Sequence, residues 1–354
     1  MKAETKLLPN QAVEQFPVVD ILKFIFAILI MCLHGNIFGG STFGVFFERI
    51  VVRLAVPFFF VSSGFFYGRK VYTKKNPDVI TKRYILRLAE KLLIFEPVSI
   101  LIIFVQDRVL NHLPVSVIIR ESIRHIFFYP RGALWYIQAV IVAILILVPF
   151  IKKNKESIAL FLGLILYSFA LLCNRYYFLC EGTVLERVVV TYMHYFISAR
   201  NGVFVGLPYV TMGVLIAKKW DRLQNQERRI FVLLLLSVLG LILEVFLTNS
   251  KAGLDDVSLY VAHLVLLPAL FLYAGYQKAV RMENHLNTTL LRNLSTSIYL
   301  LHSPVIRALK CGSSLLLQKS LHPWSVTFIT AMVITVVCTV VYKKQWNPVY
   351  NWIK

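Results

Sequence analysis

The stretch DILKFIFAILIMCLHGN, Asp20 to Asn36, sets three ionisable side chains in or beside an otherwise apolar run: Asp20, Lys23 and His34. Ionisable groups at membrane depth are costly and mark functional positions by default. An imidazole transfers protons and acts as a nucleophile near neutral pH, which makes His34 a candidate catalytic group. Eleven residues separate Lys23 from His34, close to three helical turns, so the two share a face about 16 Å apart along the axis. A cation at one mouth and an imidazole deeper on the same face suit one channel. The structural alternative is that Lys23 snorkels to the headgroups and His34 caps the outer interface.

Other polar residues interrupt apolar runs in the same way. In ERIVVRLAVPFFFVSSGFFYGRK, Arg53 sits one turn before Pro57, at the depth expected for His34. It serves either the site or a buried ion pair with Glu48 or Asp20. In YPRGALWYIQAV, Arg131 beside Gly132 suits an anionic or carbonyl group, while Trp135 and Tyr136 also fit an interfacial aromatic belt. Asn201 follows Arg200 in SARNGVFVGLP, and Glu244 lies near the outer end of its run. His302 in STSIYLLHSPVI is either a hydrogen-bonded core histidine or an acceptor-side group. His263 on an apolar face reads as packed. His34, Arg53, Arg131, Asn201 and Glu244 come from five spans and are expected in one outer-half layer. Lys23, with basic residues such as Arg69 and Lys70, marks the inner mouth. Together they describe a polar cavity through a helical bundle.

The elements that hold these residues follow from hydropathy. The 354 residues are 58% hydrophobic, with a mean hydropathy of +0.68. Long uncharged runs recur along the chain, and a span needs roughly 20 apolar residues. The expectation is an all-α, polytopic membrane bundle of about ten transmembrane helices, at 17–38, 45–67, 88–105, 133–151, 157–173, 202–217, 229–247, 257–277, 295–311 and 324–342. Alternating apolar patterning is missing, which excludes a β-barrel. ERVVVTYMHYFISAR (186–200) is too short and polar for a span and reads as a surface helix. Segments 1–16 and 343–354 read as cytoplasmic ends of one domain over 17–342, with no cleavable signal peptide at the start. The formal net charge of +20 gathers after every second span, as at Lys152, Lys153 and Lys155 or Lys218, Lys219 and Arg222. That is the positive-inside bias, which puts both termini in the cytoplasm and the charge against membrane lipids. Nucleic acid is not needed to explain it. Cys32, Cys173, Cys180, Cys311 and Cys338 show no metal-ligand spacing, and at most Cys180 and Cys311 form an outer-face pair.

DILKFIFAILIMCLH, RLAVPFFFVSSGFFYGRK, GALWYIQAVIVAILILVPFI, FVGLPYVTMGVLIAKK and NLSTSIYLLHSPVI, in this order, resemble the bacterial integral-membrane acyltransferases of the acyltransferase 3 family. The resemblance implies a ten-helix bundle that moves an acyl group, commonly acetyl, from cytoplasmic acyl-coenzyme A to an outer-face acceptor, usually a hydroxyl of a cell-surface sugar. It implies no bound cofactor; acyl-CoA is the donor substrate. The family's first-span pair of a basic residue and a histidine carries over to Lys23 and His34. Lysine stands where the family usually has arginine, keeping the charge without the bidentate fork. The arginine before VPFFF carries over to Arg53. The chain also resembles the membrane half of the vancomycin-resistance membrane serine racemases, of the same superfamily.

The resemblance and the residues together give an acyltransferase in which His34 is base or acyl carrier and Arg53 steadies an oxyanion or orients the histidine. Asp20, Lys23, Arg69 and Lys70 then receive the donor. Arg131, Trp135, Asn201, Glu244 and His302 are acceptor-side candidates. The alternative is a transporter for a small polar solute such as an amino acid, with His34 and Glu244 as proton-linked groups. A purely structural subunit is disfavoured by the clustered charges.

Overall fold

Pro17 opens α1 (Pro17–Gly35), and Asn36 closes it in the left-handed conformation with φ 65°, its N–H on the carbonyls of Cys32 and Leu33. His34 therefore sits in the last turn. The computed structural model describes residues 15–39, 41–73, 76–249, 251, 258–277 and 288–343. The expected cytoplasmic ends, 1–16 and 343–354, lie almost wholly outside them. All regular structure among the described residues is helical.

The expected span 45–67 is divided into α2 (Thr42–Ile50), a 3₁₀ turn over Val52–Leu54 that carries Arg53, and α3 (Ala55–Thr73). Pro57 has no N–H to give the Arg53 carbonyl, which relaxes the helix just there. The basic stretch that follows the expected second span is largely helix. Asn76 caps and Pro77 opens the 29-residue α4 (Pro77–Val105), so Lys82, Arg83, Arg87 and Lys91 project from its first turns. A π-helical turn, Gln106–Leu110, ends it. Then come α5 (Val115–Phe128), α6 (Trp135–Lys152), α7 (Glu156–Leu172) and α8 (Val184–Phe196). The chain continues through α9 (Leu207–Lys218), α10 (Trp220–Leu223), α11 (Glu227–Thr248), α12 (His263–Tyr276), α13 (Thr288–Leu316) and α14 (Pro323–Lys343). The short helix α8 falls where a surface helix was expected.

Five helical stretches among the described residues are long and apolar enough to cross a bilayer: Pro17–Gly35, Thr42–Thr73, Val115–Lys152, Glu227–Thr248 and Pro323–Val341. Three shorter apolar helices accompany them. The outer faces fit hydrocarbon, as on α11, where Leu236, Leu239, Leu243 and Phe246 are each at least 60% exposed. The protein is a helical membrane protein.

Two pairings organise the interior. α3 and α9 touch backbone to backbone at Gly64 and Gly213, where an added Cβ would collide with the carbonyls of Val210 and Val61. Small residues permit such approach where no hydrophobic drive separates helix from lipid. α13 runs parallel to α1. The Ser295 hydroxyl donates to the Lys23 carbonyl at 3.0 Å, and the Lys310 ammonium to the His34 carbonyl at 3.2 Å.

Gly64→Ala is expected to destabilise the protein by about 1–3 kcal/mol, the usual cost of overpacking. A thermal-unfolding midpoint in detergent that matches the wild type would contradict this packing.

Candidate active site

The α1–α13 pairing brings two histidines together. The rings of His34 and His302 lie 5.2 Å apart, with planes tilted by 32°. His302 is fully buried, and its Nδ1 is 2.8 Å from the carbonyl of Ile298. A carbonyl only accepts, so Nδ1 carries the proton and Nε2 holds a lone pair. That Nε2 is buried with no hydrogen-bond partner among the described residues. His34 is exposed. The pair thus offers one accessible imidazole backed by a buried one of fixed tautomer.

A cavity of about 150 Å³ is lined by Lys23, Ser63, Lys91, Tyr136, Ser295 and Tyr299 among others; neither histidine lines it. These polar groups come from α1, α3, α4, α6 and α13. Tyr136 donates to the Phe59 carbonyl at 3.0 Å and lies 2.7 Å from the Ser63 hydroxyl. Tyr299 donates to the Ala133 carbonyl. Its ring lies 5.5 Å from Tyr136 and 6.3 Å from His302, one turn further along α13. Cations, phenols and imidazoles follow each other as one polar column.

One end of the column is Lys23, whose ammonium lies 5.6 Å from the Phe66 ring. Its neighbour Asp20 is buried and 3.9 Å from Arg292. Arg69 and Lys70, near the end of α3, are not among the lining residues. Lys91, within the expected span 88–105, is the second cation of the cavity.

The Arg131 N–H points to Glu96 Oε1 at 3.5 Å, and its guanidinium lies 3.9 Å from Asp107. Gly132, with φ 69°, packs so tightly on Ser303 that a Cβ would strike the hydroxyl. Arg131 therefore stands next to the chain that carries His302. Trp135 stacks on Tyr129 at 5.6 Å, and the Arg200 guanidinium lies 5.7 and 5.9 Å from the two rings.

Other candidates have local work. Arg53 pairs with Glu48, the ion pair weighed from the sequence. The Asn201 carbonyl oxygen accepts from the N–H groups of Val203 and Phe204, and its amide donates to Tyr192. Glu244 accepts from the N–H groups of Val261 and Ala262 at 2.6 and 2.8 Å, just before α12, and from the Tyr176 hydroxyl. Asn201 thus caps the helical turn Gly202–Gly206, and Glu244 ties down the two residues that precede α12. His263 is fully buried against Tyr260, its ring 5.1 Å away. All five cysteines are free, Cys180 and Cys311 included.

A family model described as an acyltransferase domain matches residues 16–343, nearly the whole chain. The chain belongs to the acyltransferase 3 family. Among proteins similar to this acyltransferase 3 chain is an amino-acid racemase of Enterococcus faecalis, 26% identical over 219 residues, 60% of this chain and 30% of that protein. A serine/alanine racemase of Enterococcus gallinarum is 23% identical over 314 residues, 88% of this chain and 42% of that protein. The chain spans less than half the length of these relatives. No solved structure matches it.

Glu244→Ala removes the acceptor for two N–H groups and a phenol, so a stability loss of about 1–3 kcal/mol is expected. Thermal unfolding of the variant checks it. An unchanged midpoint would contradict that anchoring role.

Proposed function

We propose that this membrane acyltransferase moves an acyl group, acetyl by family resemblance, from cytoplasmic acyl-CoA to a hydroxyl of a cell-surface or lipid-linked saccharide. The observation that carries this reading is the column from Lys23 and Lys91 through Tyr136 and Tyr299 to the His34–His302 pair. Acyl-CoA is anionic at its phosphates and reactive at its thioester, tens of ångströms of molecule apart in charge and chemistry. A route with cations at one end and an accessible imidazole at the other matches that division.

The inner mouth faces the cytoplasm. The basic segments between α6 and α7 (Lys152, Lys153, Lys155) and between α9 and α11 (Lys218, Lys219, Arg222) support this orientation under the positive-inside rule. Both termini and the donor are then cytoplasmic, in a bacterial cytoplasmic membrane. Lys23 and Lys91 draw the donor phosphates, and Asp20 holds Lys23 and Arg292 near one another. Arg69 and Lys70 add positive charge at the same membrane surface.

His34 acts in one of two ways. As base, it takes the proton of the acceptor hydroxyl while that oxygen attacks the thioester carbonyl and the CoA thiolate leaves. As carrier, an imidazole nitrogen takes the acyl group with loss of thiolate and then yields it to the acceptor oxygen. The buried lone pair of His302 Nε2 supports the imidazole on its far face. Arg131 and the Tyr129–Trp135 stack belong to the acceptor side.

A second reading, passage of a small polar solute such as an amino acid, draws on the two relatives named for amino-acid chemistry. It predicts flux without a covalent product.

The test uses the purified protein in nanodiscs with acyl-labelled CoA. His34→Ala is expected to lower label movement by at least about 10²–10⁴-fold. Lys23→Gln is expected to raise the donor KM more than it lowers kcat. Label moving at wild-type rate in a folded His34→Ala protein would overturn the reading.

A further inference from the structure

Gly35, beside His34, marks where α1 meets α14: a Cβ there would strike the Thr327 hydroxyl. Four residues from that contact on each helix, at Met31 and Ala331, a groove opens between them. α13 forms its third wall. Phe24, Ile28 and Met31 of α1 face Leu290, Leu294 and Ile298 of α13, each set at helical spacing along one face. α14 adds a stripe from Ala331 to Thr339. The groove holds about 650 Å³. The interval from Leu290 to Ile298 gives it a length of about 12 Å.

The lining selects hydrocarbon. It carries no charged side chain. Thr335 and Thr339 donate their hydroxyl protons to the carbonyls of Ala331 and Thr335, both at 2.8 Å, which leaves their methyl groups for the groove. Cys338 serves as a small apolar group. A polypeptide segment laid here at membrane depth would bring unsatisfied backbone groups. A helix escapes that cost but is 10–12 Å across, so 12 Å of it occupies roughly 900 Å³ or more. An acyl chain meets neither obstacle. Lipid reaches the groove's edge, because Phe328, Met332 and Val336 of the bilayer-crossing α14 are each more than half exposed.

Charge selects the lipid. Asp20, one turn before Phe24, lies just beyond the groove's Phe24 end, its carboxylate 3.9 Å from Arg292. Lys23 is three residues on from Asp20, a neighbour on the helix surface. Two cations thus flank one carboxylate, an excess of one positive charge. The Asp20 side chain is 6% exposed and that of Arg292 49%, so the guanidinium is the member of the pair that meets a headgroup. We propose that this groove binds an acyl chain of an anionic phospholipid, with the lipid phosphate at Arg292. The groove shares no lining residue with the Lys23–Tyr299 cavity, so the site stands apart from the acyltransferase reading. The chain lies along Ile298, whose carbonyl holds His302 Nδ1, and so backs the helix pair that brings the histidines together.

Photolabelling of the full chain in nanodiscs tests the site. The probes are phosphatidylglycerol and phosphatidylcholine carrying the same diazirine-bearing acyl chain. The exposed face of α11 at Leu236 and Leu239 is the internal control for bulk lipid. Phosphatidylglycerol is expected to label the groove more heavily than α11. It should also exceed phosphatidylcholine at the groove by at least about five-fold, the equivalent of one basic residue at a membrane surface. Ala331→Phe fills the groove's closed end and should abolish the groove label while α11 labels as before. Arg292→Gln should keep a groove label and lose the preference between the two lipids. Should Ala331→Phe fail to fold, Thr339→Phe is read in the same way. Groove label no stronger than that on α11, equal label from both lipids in wild type, or groove label unchanged in the filled variant would overturn the proposal. A groove without label beside a labelled α11 would overturn it as well, and would mean that protein covers the groove.

Discussion

Two hydrogen bonds to carbonyls of α1, one from Ser295 and one from Lys310, hold α13 parallel to it. Everything at the site depends on that register. It sets Lys23 level with Ser295 and brings His34 beside His302. A slip of α13 by one residue would turn its facing side chains by about 100° and part the histidines. The same helix presents Tyr299 to the cavity and Arg307 to Glu96 and Asp107. One helix pair therefore lines up Lys23, the imidazoles and the Arg307 guanidinium.

The remaining helices close this column. α3 is locked to α9 by glycine contacts, which fixes Ser63 and Phe59 against Tyr136. α4 contributes Lys91 at one level and Glu96 at the next turn and a half. In hydrocarbon each of these polar groups must find a partner or have a purpose. Most find one. Arg53 has Glu48, Glu244 has the start of α12, and Asn201 has the turn before α9. Among the described residues, His302, Glu96, Arg131 and Asp20 keep buried atoms without a hydrogen-bond partner.

Much of this was legible in the chain itself. Apolar run lengths indicated the helices, and the spacing of Lys23 and His34 indicated a shared face. The proximity of His302 to His34 was not legible, because it depends on which two helices pair. The break at Arg53 is written in Pro57, yet the apolar run hides it. The helix expected from residue 88 begins a further eleven residues earlier, at a start written in Asn76 and Pro77. Asn201 and Glu244 looked like site residues because a backbone anchor and a ligand-binding group have the same composition. Only the partner tells them apart, and for Glu244 the partner lies seventeen residues on. Glu96 and Arg307 fell inside the expected spans 88–105 and 295–311, the same signal that singled out His34, but were not selected.

The central claim is that one polar column connects the inner cations with the histidine pair. Electron cryo-microscopy of the protein in nanodiscs with a non-hydrolysable acyl-CoA analogue tests it most directly. The account predicts phosphate density beside Lys23 and Lys91, a pantetheine arm past Tyr136 and Tyr299, and the acyl carbonyl facing His34. Analogue bound elsewhere, with the column closed and unchanged, would contradict it.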